Sequence, residues 1–115
     1  MKSSIAKLWT AALRSGQYKQ TGGKLRGEFN GITSFCCLGV LCNLHAQAHP
    51  DIAARQPTTA EYMGRRLVLP NEVAEWAGMT GLLGYFKSTT LANENDQGAS
   101  FNKIADLIDK HVKTL

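Results

Sequence analysis

The chain has 115 residues, of which 43% are hydrophobic and 19% charged, and it carries a formal net charge of +4. This is the length of one ordinary domain, and the composition is too apolar for a disordered chain, so a single folded domain over residues 1–115 is expected. No apolar run is long enough to cross a bilayer, and Lys7 interrupts the first apolar segment, so we expect neither a membrane span nor a signal peptide and place the protein in the cytoplasm.

Ile5, Leu8, Trp9, Ala12 and Leu13 recur at helical spacing and predict an amphipathic first helix, with Ser3 or Ser4 as its cap and Gly16 as its stop. Asn30-Gly31 predicts a tight hairpin turn, because both central positions of such a turn require positive φ. In that register Phe29 faces Ile32, Gly27 faces Ser34 and Leu25 faces Cys36. The apolar residues then share a core-facing side, and Lys24, Arg26 and Glu28 share the other. The run Phe35 to Leu44 is apolar throughout and predicts a fully buried helix, with Gly39 admitting another backbone and His49-Pro50 ending it.

Asp51 to Met63 is polar and aperiodic, and Gln56-Pro57-Thr58-Thr59 predicts an exposed loop. Arg65 to Leu69 suits a short strand. Pro70 then opens a helix through Val73, Trp76 and Ala77 that stops at Gly78. Leu82 to Leu91 has a strand-like composition, and Asn93 to Gly98 suits a turn in which Asn95 and Asp96 bond local backbone groups. Ser100 then caps a last helix with Phe101, Ile104, Ala105, Ile108 and Val112 on its apolar side, while Asp106 pairs with Lys110 and Asp109 with Lys113. These elements give an α+β fold: a small, mainly antiparallel sheet carrying three or four helices, with the Cys-rich helix buried.

Cys36, Cys37 and Cys42 are odd in number and crowded into one apolar run, which fits neither a disulfide framework nor the usual spacing of metal ligands. We read them as buried free thiols. Charge is distributed more tellingly. Lys2, Lys7, Arg14, Lys19, Lys24 and Arg26 fall within the first 27 residues, which contain no Asp or Glu. An anionic partner meets that end first. Helix-turn-helix spacing is absent and the net charge is modest, so duplex DNA fits poorly and a compact phosphorylated ligand fits better. A cysteine hydrolase would require Cys36 or Cys37 at a helix N-terminus with a base such as His45, His49 or His111, and nothing in the sequence fixes that arrangement.

Several blocks run together along nearly the whole chain: Trp9-x-x-Ala-Leu-Arg-Ser-Gly-x-Tyr18, Gly23-Lys-Leu-Arg26, Phe35-Cys-Cys-Leu-Gly-Val-Leu-Cys42, Leu69-Pro-x-x-Val-x-x-Trp-Ala-Gly78 and Asn95-Asp-x-Gly-x-Ser-Phe-x-x-Ile-Ala-Asp-Leu-Ile108. In these the chain resembles a family of small accessory proteins encoded by tailed phages and prophages, from which only Gln47 to Met63 departs. The resemblance implies a phage accessory protein and not a reaction, so no catalytic residue carries over; small phage accessory proteins commonly block host defence, by binding a host protein or sequestering a nucleotide-derived signal. The expectation is a non-enzymatic protein that sequesters a small anionic, nucleotide-derived ligand through Arg14, Tyr18, Lys24 and Arg26, with no cofactor and no metal, as a homo-oligomer. The alternatives are a protein-interaction module that inhibits a host protein and, after it, the small cysteine-dependent hydrolase.

Overall fold

The computed structural model describes residues 1–55 and 60–115, so the loop expected at Gln56-Pro57-Thr58-Thr59 lies outside the described residues. Helix α1 (Ser3–Arg14) buries Ile5, Trp9 and Leu13, as its periodicity requires, while Leu8 is 53% exposed at the margin of the stripe. Its N-cap is Lys2, without a side-chain cap, so Ser3 and Ser4 stand inside the first turn and not before it. Two-residue β1 (Lys19–Gln20) pairs in parallel with β3 (Ile32–Phe35), and β2 (Arg26–Phe29) pairs with β3 antiparallel, giving the order β1-β3-β2. Asn30 and Gly31 adopt φ of 52° and 77°, and the register aligns Phe29 with Ile32 and Gly27 with Ser34. That is the hairpin its turn residues specify. Its tip nevertheless extends beyond the body of the protein. Leu25 is fully buried, whereas Phe29 and Ile32 are 76% and 53% exposed, so the expected core-facing apolar side holds only at the base.

Helix α2 (Cys37–Ala48) is the innermost element, burying every residue from Cys37 to Cys42. It can lie against the start of the hairpin because residue 39 is glycine. A Cβ there would land on the Leu25 carbonyl oxygen, which accepts a hydrogen bond from the Cys36 N–H at 3.1 Å. His49 ends α2, and Pro50 takes the first position of a single-turn α3 (Pro50–Ala53).

The segment expected as a strand from Arg65 to Leu69 instead makes one bridge, Tyr62 to Arg65, around Met63 and Gly64 at φ of 49° and 82°. Its bonding partners change from residue to residue: Leu25 N–H donates to the Arg66 carbonyl at 2.6 Å, and Leu69 N–H to that of Leu82 at 2.9 Å. No ladder forms. Helix α4 (Asn71–Ala77) ends on Gly78 in the left-handed conformation. The strand expected over Leu82 to Leu91 is a minimal hairpin, β4 (Tyr85–Phe86) and β5 (Thr89–Thr90).

Thr90 Oγ1 then accepts the Asn93 N–H at 3.0 Å and starts α5 (Leu91–Asp96), so Asn93 to Asp96 are helical and not a turn. Helix α6 (Phe101–His111) begins at Ser100, whose hydroxyl accepts the Lys103 N–H at 3.1 Å, and packs along α1. The expected Asp106–Lys110 and Asp109–Lys113 pairs give way to Arg14, which reaches across from α1 to both carboxylates at 2.8 Å. The class is α+β, with six helices and two small, mostly antiparallel sheets among the described residues. No helix among them is long and apolar enough to cross a membrane.

Candidate anion-binding site

The four residues singled out from the basic N-terminal quarter separate in space. Arg14 is held by the two α6 carboxylates, which satisfy its charge and raise its pKa through their hydrogen bonds. Tyr18 and Arg26 come together around Phe35. The Tyr18 ring meets Phe35 edge-on at 5.1 Å, and the Arg26 guanidinium lies over the same ring at 5.5 Å. Asn43 Nδ2 donates to the Tyr18 hydroxyl at 2.8 Å and fixes that ring against α2. Arg26 Nε is buried with no hydrogen-bond partner among the described residues, although a guanidinium N–H removed from water calls for one.

Lys24 precedes β2 and folds over Gly27, where its Cε would lie 2.8 Å from a Cβ at that position. Neighbouring strand residues point to opposite faces, so Lys24 covers the side of the ribbon away from Arg26. The two do not project together, contrary to the alternation expected when Lys24 is taken as part of the strand.

Sequence reasoning missed the residues that complete the patch. The Leu25–Arg66 hydrogen bond brings Arg65 and Arg66 to the base of the hairpin, so two basic segments, one with Lys24 and Arg26 on either side of buried Leu25 and the other Arg65-Arg66, meet there. Among the described residues, none of Lys24, Arg26, Arg65 and Arg66 forms an ion pair. Two open depressions adjoin them. One of about 590 Å³ is lined by Gly64, Arg65, Arg66, Leu67 and Val68, and one of about 300 Å³ by Lys24, Cys36, Leu67, Asn93 and Asp96 among others. Leu67, 62% exposed, borders both and supplies an apolar contact between two polar ends. These dimensions suit a small organic ligand.

Over residues 1–112 the chain matches the profile of a family described as a domain of unknown function, DUF8296. The chain belongs to that family. Neither a curated protein nor a solved structure matches it.

In this DUF8296 chain the three thiols are free and buried. Cys36 Sγ caps α2 by accepting the Gly39 N–H at 3.4 Å, an arrangement that favours thiolate, yet burial dominates and pushes its pKa up. Burial likewise raises Cys37 well above an ordinary thiol, and raises Cys42 as well. At neutral pH all three hold their protons. No histidine nitrogen among the described residues is hydrogen-bonded to any of them. His45 instead shares a 2.6 Å hydrogen bond with the Tyr62 hydroxyl and stacks on His49, with ring centroids 4.1 Å apart. No group of three or more His, Cys, Asp or Glu among the described residues is placed to hold a metal ion.

Asn95 and Asp96 act at long range and not on a local turn. Asn95 Oδ1 accepts from Cys37 N–H at 3.2 Å and Gln20 Nε2 at 2.8 Å, while its Nδ2 donates to the Thr21 carbonyl at 2.8 Å. Asp96 Oδ1 accepts the Gly23 N–H at 2.8 Å. Together they clamp the segment leading to Lys24 onto α5 and set the wall of the smaller depression. The one signal for Arg65 and Arg66 in the sequence was their adjacency just after a Met-Gly pair, which is no recognised turn motif.

Proposed function

We propose that the protein captures a small anionic, nucleotide-derived ligand in the groove between Lys24 and Arg66 and holds it without transforming it, acting as a phage or prophage accessory protein that withdraws a host defence signal. The observation that carries this reading is the meeting of two basic segments, Lys24 to Arg26 and Arg65-Arg66, at the Leu25–Arg66 hydrogen bond, with no ion pair to any of these cations among the described residues. Arg14 is neutralised by its two carboxylates, whereas cations close together at a surface without such partners set up a positive potential that attracts an anion. Arg side chains can grip phosphate oxygens with two parallel hydrogen bonds, and Leu67 offers an apolar surface for a base. The protonated, buried thiols support capture over catalysis. The groove is open, and a second copy covering it fits the homo-oligomer expected from the sequence.

Mass spectrometry of the small molecules released by heat tests the reading directly on protein purified from cells with an active nucleotide-signalling defence. The wild type is expected to release a phosphorylated nucleoside derivative that Arg65→Ala/Arg66→Ala protein, purified alongside, does not. Equal recovery from both rejects the site. A second reading, inhibition of a host protein, is favoured by the protruding hairpin tip with Phe29 and Ile32 exposed side by side. Loss of protection in a Phe29→Ser variant whose ligand release is intact would select it.

A further inference from the structure

The two ends of the groove differ in sign, and this orients whatever they hold. The larger depression is lined by Arg65 and Arg66, with no acidic residue among the described residues that line it. The smaller is lined by Lys24 but also by Asp96 and Asn93, on the first helix to follow the small hairpin. Asp96 uses one carboxylate oxygen for the Gly23 N–H; among the described residues the other has no hydrogen-bond donor. Asn93 donates from its Nδ2 to Thr89 Oγ1 at 3.1 Å, and its amide oxygen receives no donor among the described residues. A phosphate at this end would face a carboxylate at close quarters, so the arrangement disfavours it. Both side chains are exposed, so water meets these oxygens in the free protein, and they stand ready to accept from a ligand that presents two hydroxyl groups. A carboxylate is a natural acceptor for the hydroxyls of a ribose. The walls beside these acceptors, Leu67, Leu83 and Ala92, are apolar and suit a sugar ring or base edge.

Resting on the capture reading above, we infer that the groove takes a ribonucleotide in one orientation, its phosphate between Arg65 and Arg66 and its ribose 2′,3′-diol on Asp96 and Asn93. Asp96 is then a specificity residue for ribose, and Lys24 flanks the ribose end.

Calorimetric titration of the full chain with the four ribonucleoside 5′-monophosphates and their 2′,3′-dideoxy counterparts tests this. The inference expects the best ribonucleotide to bind at least about tenfold more tightly than its dideoxy counterpart, since loss of the diol removes its hydrogen bonds to Asn93 and to the charged Asp96. It also expects Asp96→Asn to reduce that ratio to within about threefold, because the neutral amide keeps an oxygen for the Gly23 N–H but loses charge-assisted acceptance from the ligand. Melting of Asp96→Asn verifies its fold, and the analogue comparison on the wild type stands without it. Equal affinity of the ribo and dideoxy forms overturns the orientation while leaving nucleotide capture in place. Failure of the wild type to bind any of these nucleotides overturns both.

Discussion

A buried primary amide must satisfy both its oxygen and its nitrogen, and Asn95 does so with groups more than 55 residues away in sequence. Its sequence neighbours suggested local turn chemistry, since Asn, Asp and Gly cluster there. The distant partners Cys37 and Thr21 carry no mark of the contact, because a backbone N–H or carbonyl looks the same at every residue. His45 illustrates the same limit with a titrating group. Burial, with His49 stacked against it, lowers its pKa below the ordinary imidazole value of about 6.5, while Glu72 opposes the shift. The folded protein therefore binds this proton less readily than the unfolded chain. Stability is full above about pH 6.5 and falls as pH drops through that value, until the folded imidazole itself protonates. Thermal melting from pH 7 to about 5 should show the wild type losing stability more steeply than His45→Phe, which starts lower for want of the Tyr62 hydrogen bond. Parallel slopes would reject the assignment.

At the scale of elements, helices were legible where one face carries the whole message. The stripes of α1 and α6 have helical period, and Pro70 and Gly78 bracket α4, so each forms where its residues place it. The hairpin register was legible too, because the turn alone sets it. Its burial was not, because that depends on how far the body of the protein reaches along the ribbon. Gly39 joins the two levels: it suits no helix for its own sake, yet the Leu25 carbonyl occupies the space of a side chain there. Gly39→Ala is expected to destabilise the protein by about 3 kcal/mol or more, since the strand start must move away from α2. Gly31→Val should cost about 1–2 kcal/mol, because the clash there is only the left-handed backbone at φ 77° and no neighbour lies near the added Cβ. Chemical denaturation measures both, and a Gly31→Val variant more destabilised than Gly39→Ala would invert the account.

For the whole molecule, the basic excess of the N-terminal quarter became a site only through folding. Arg14 leaves the set because α6 happens to present Asp106 and Asp109 beside it, and Arg65 and Arg66 enter because the Arg66 carbonyl pairs with Leu25. Composition identifies the charge of a segment but not which of its charges are neutralised across the fold. What remains is a pair of depressions that share Leu67, one lined by Arg65 and Arg66 and the other by Lys24 with Asn93 and Asp96, which is the basis for the proposed ligand capture. Such an interaction should weaken as salt rises, since the cations lie at the surface. Isothermal titration against a panel of nucleotides, at low and at physiological ionic strength, compares the wild type with Lys24→Ala/Arg26→Ala and Arg65→Ala/Arg66→Ala. The account predicts wild-type binding that weakens with salt and falls at least about tenfold in each double variant while the melting temperature holds, whereas a folded wild type that binds none of the panel, or variants that bind as tightly as it does, would contradict it.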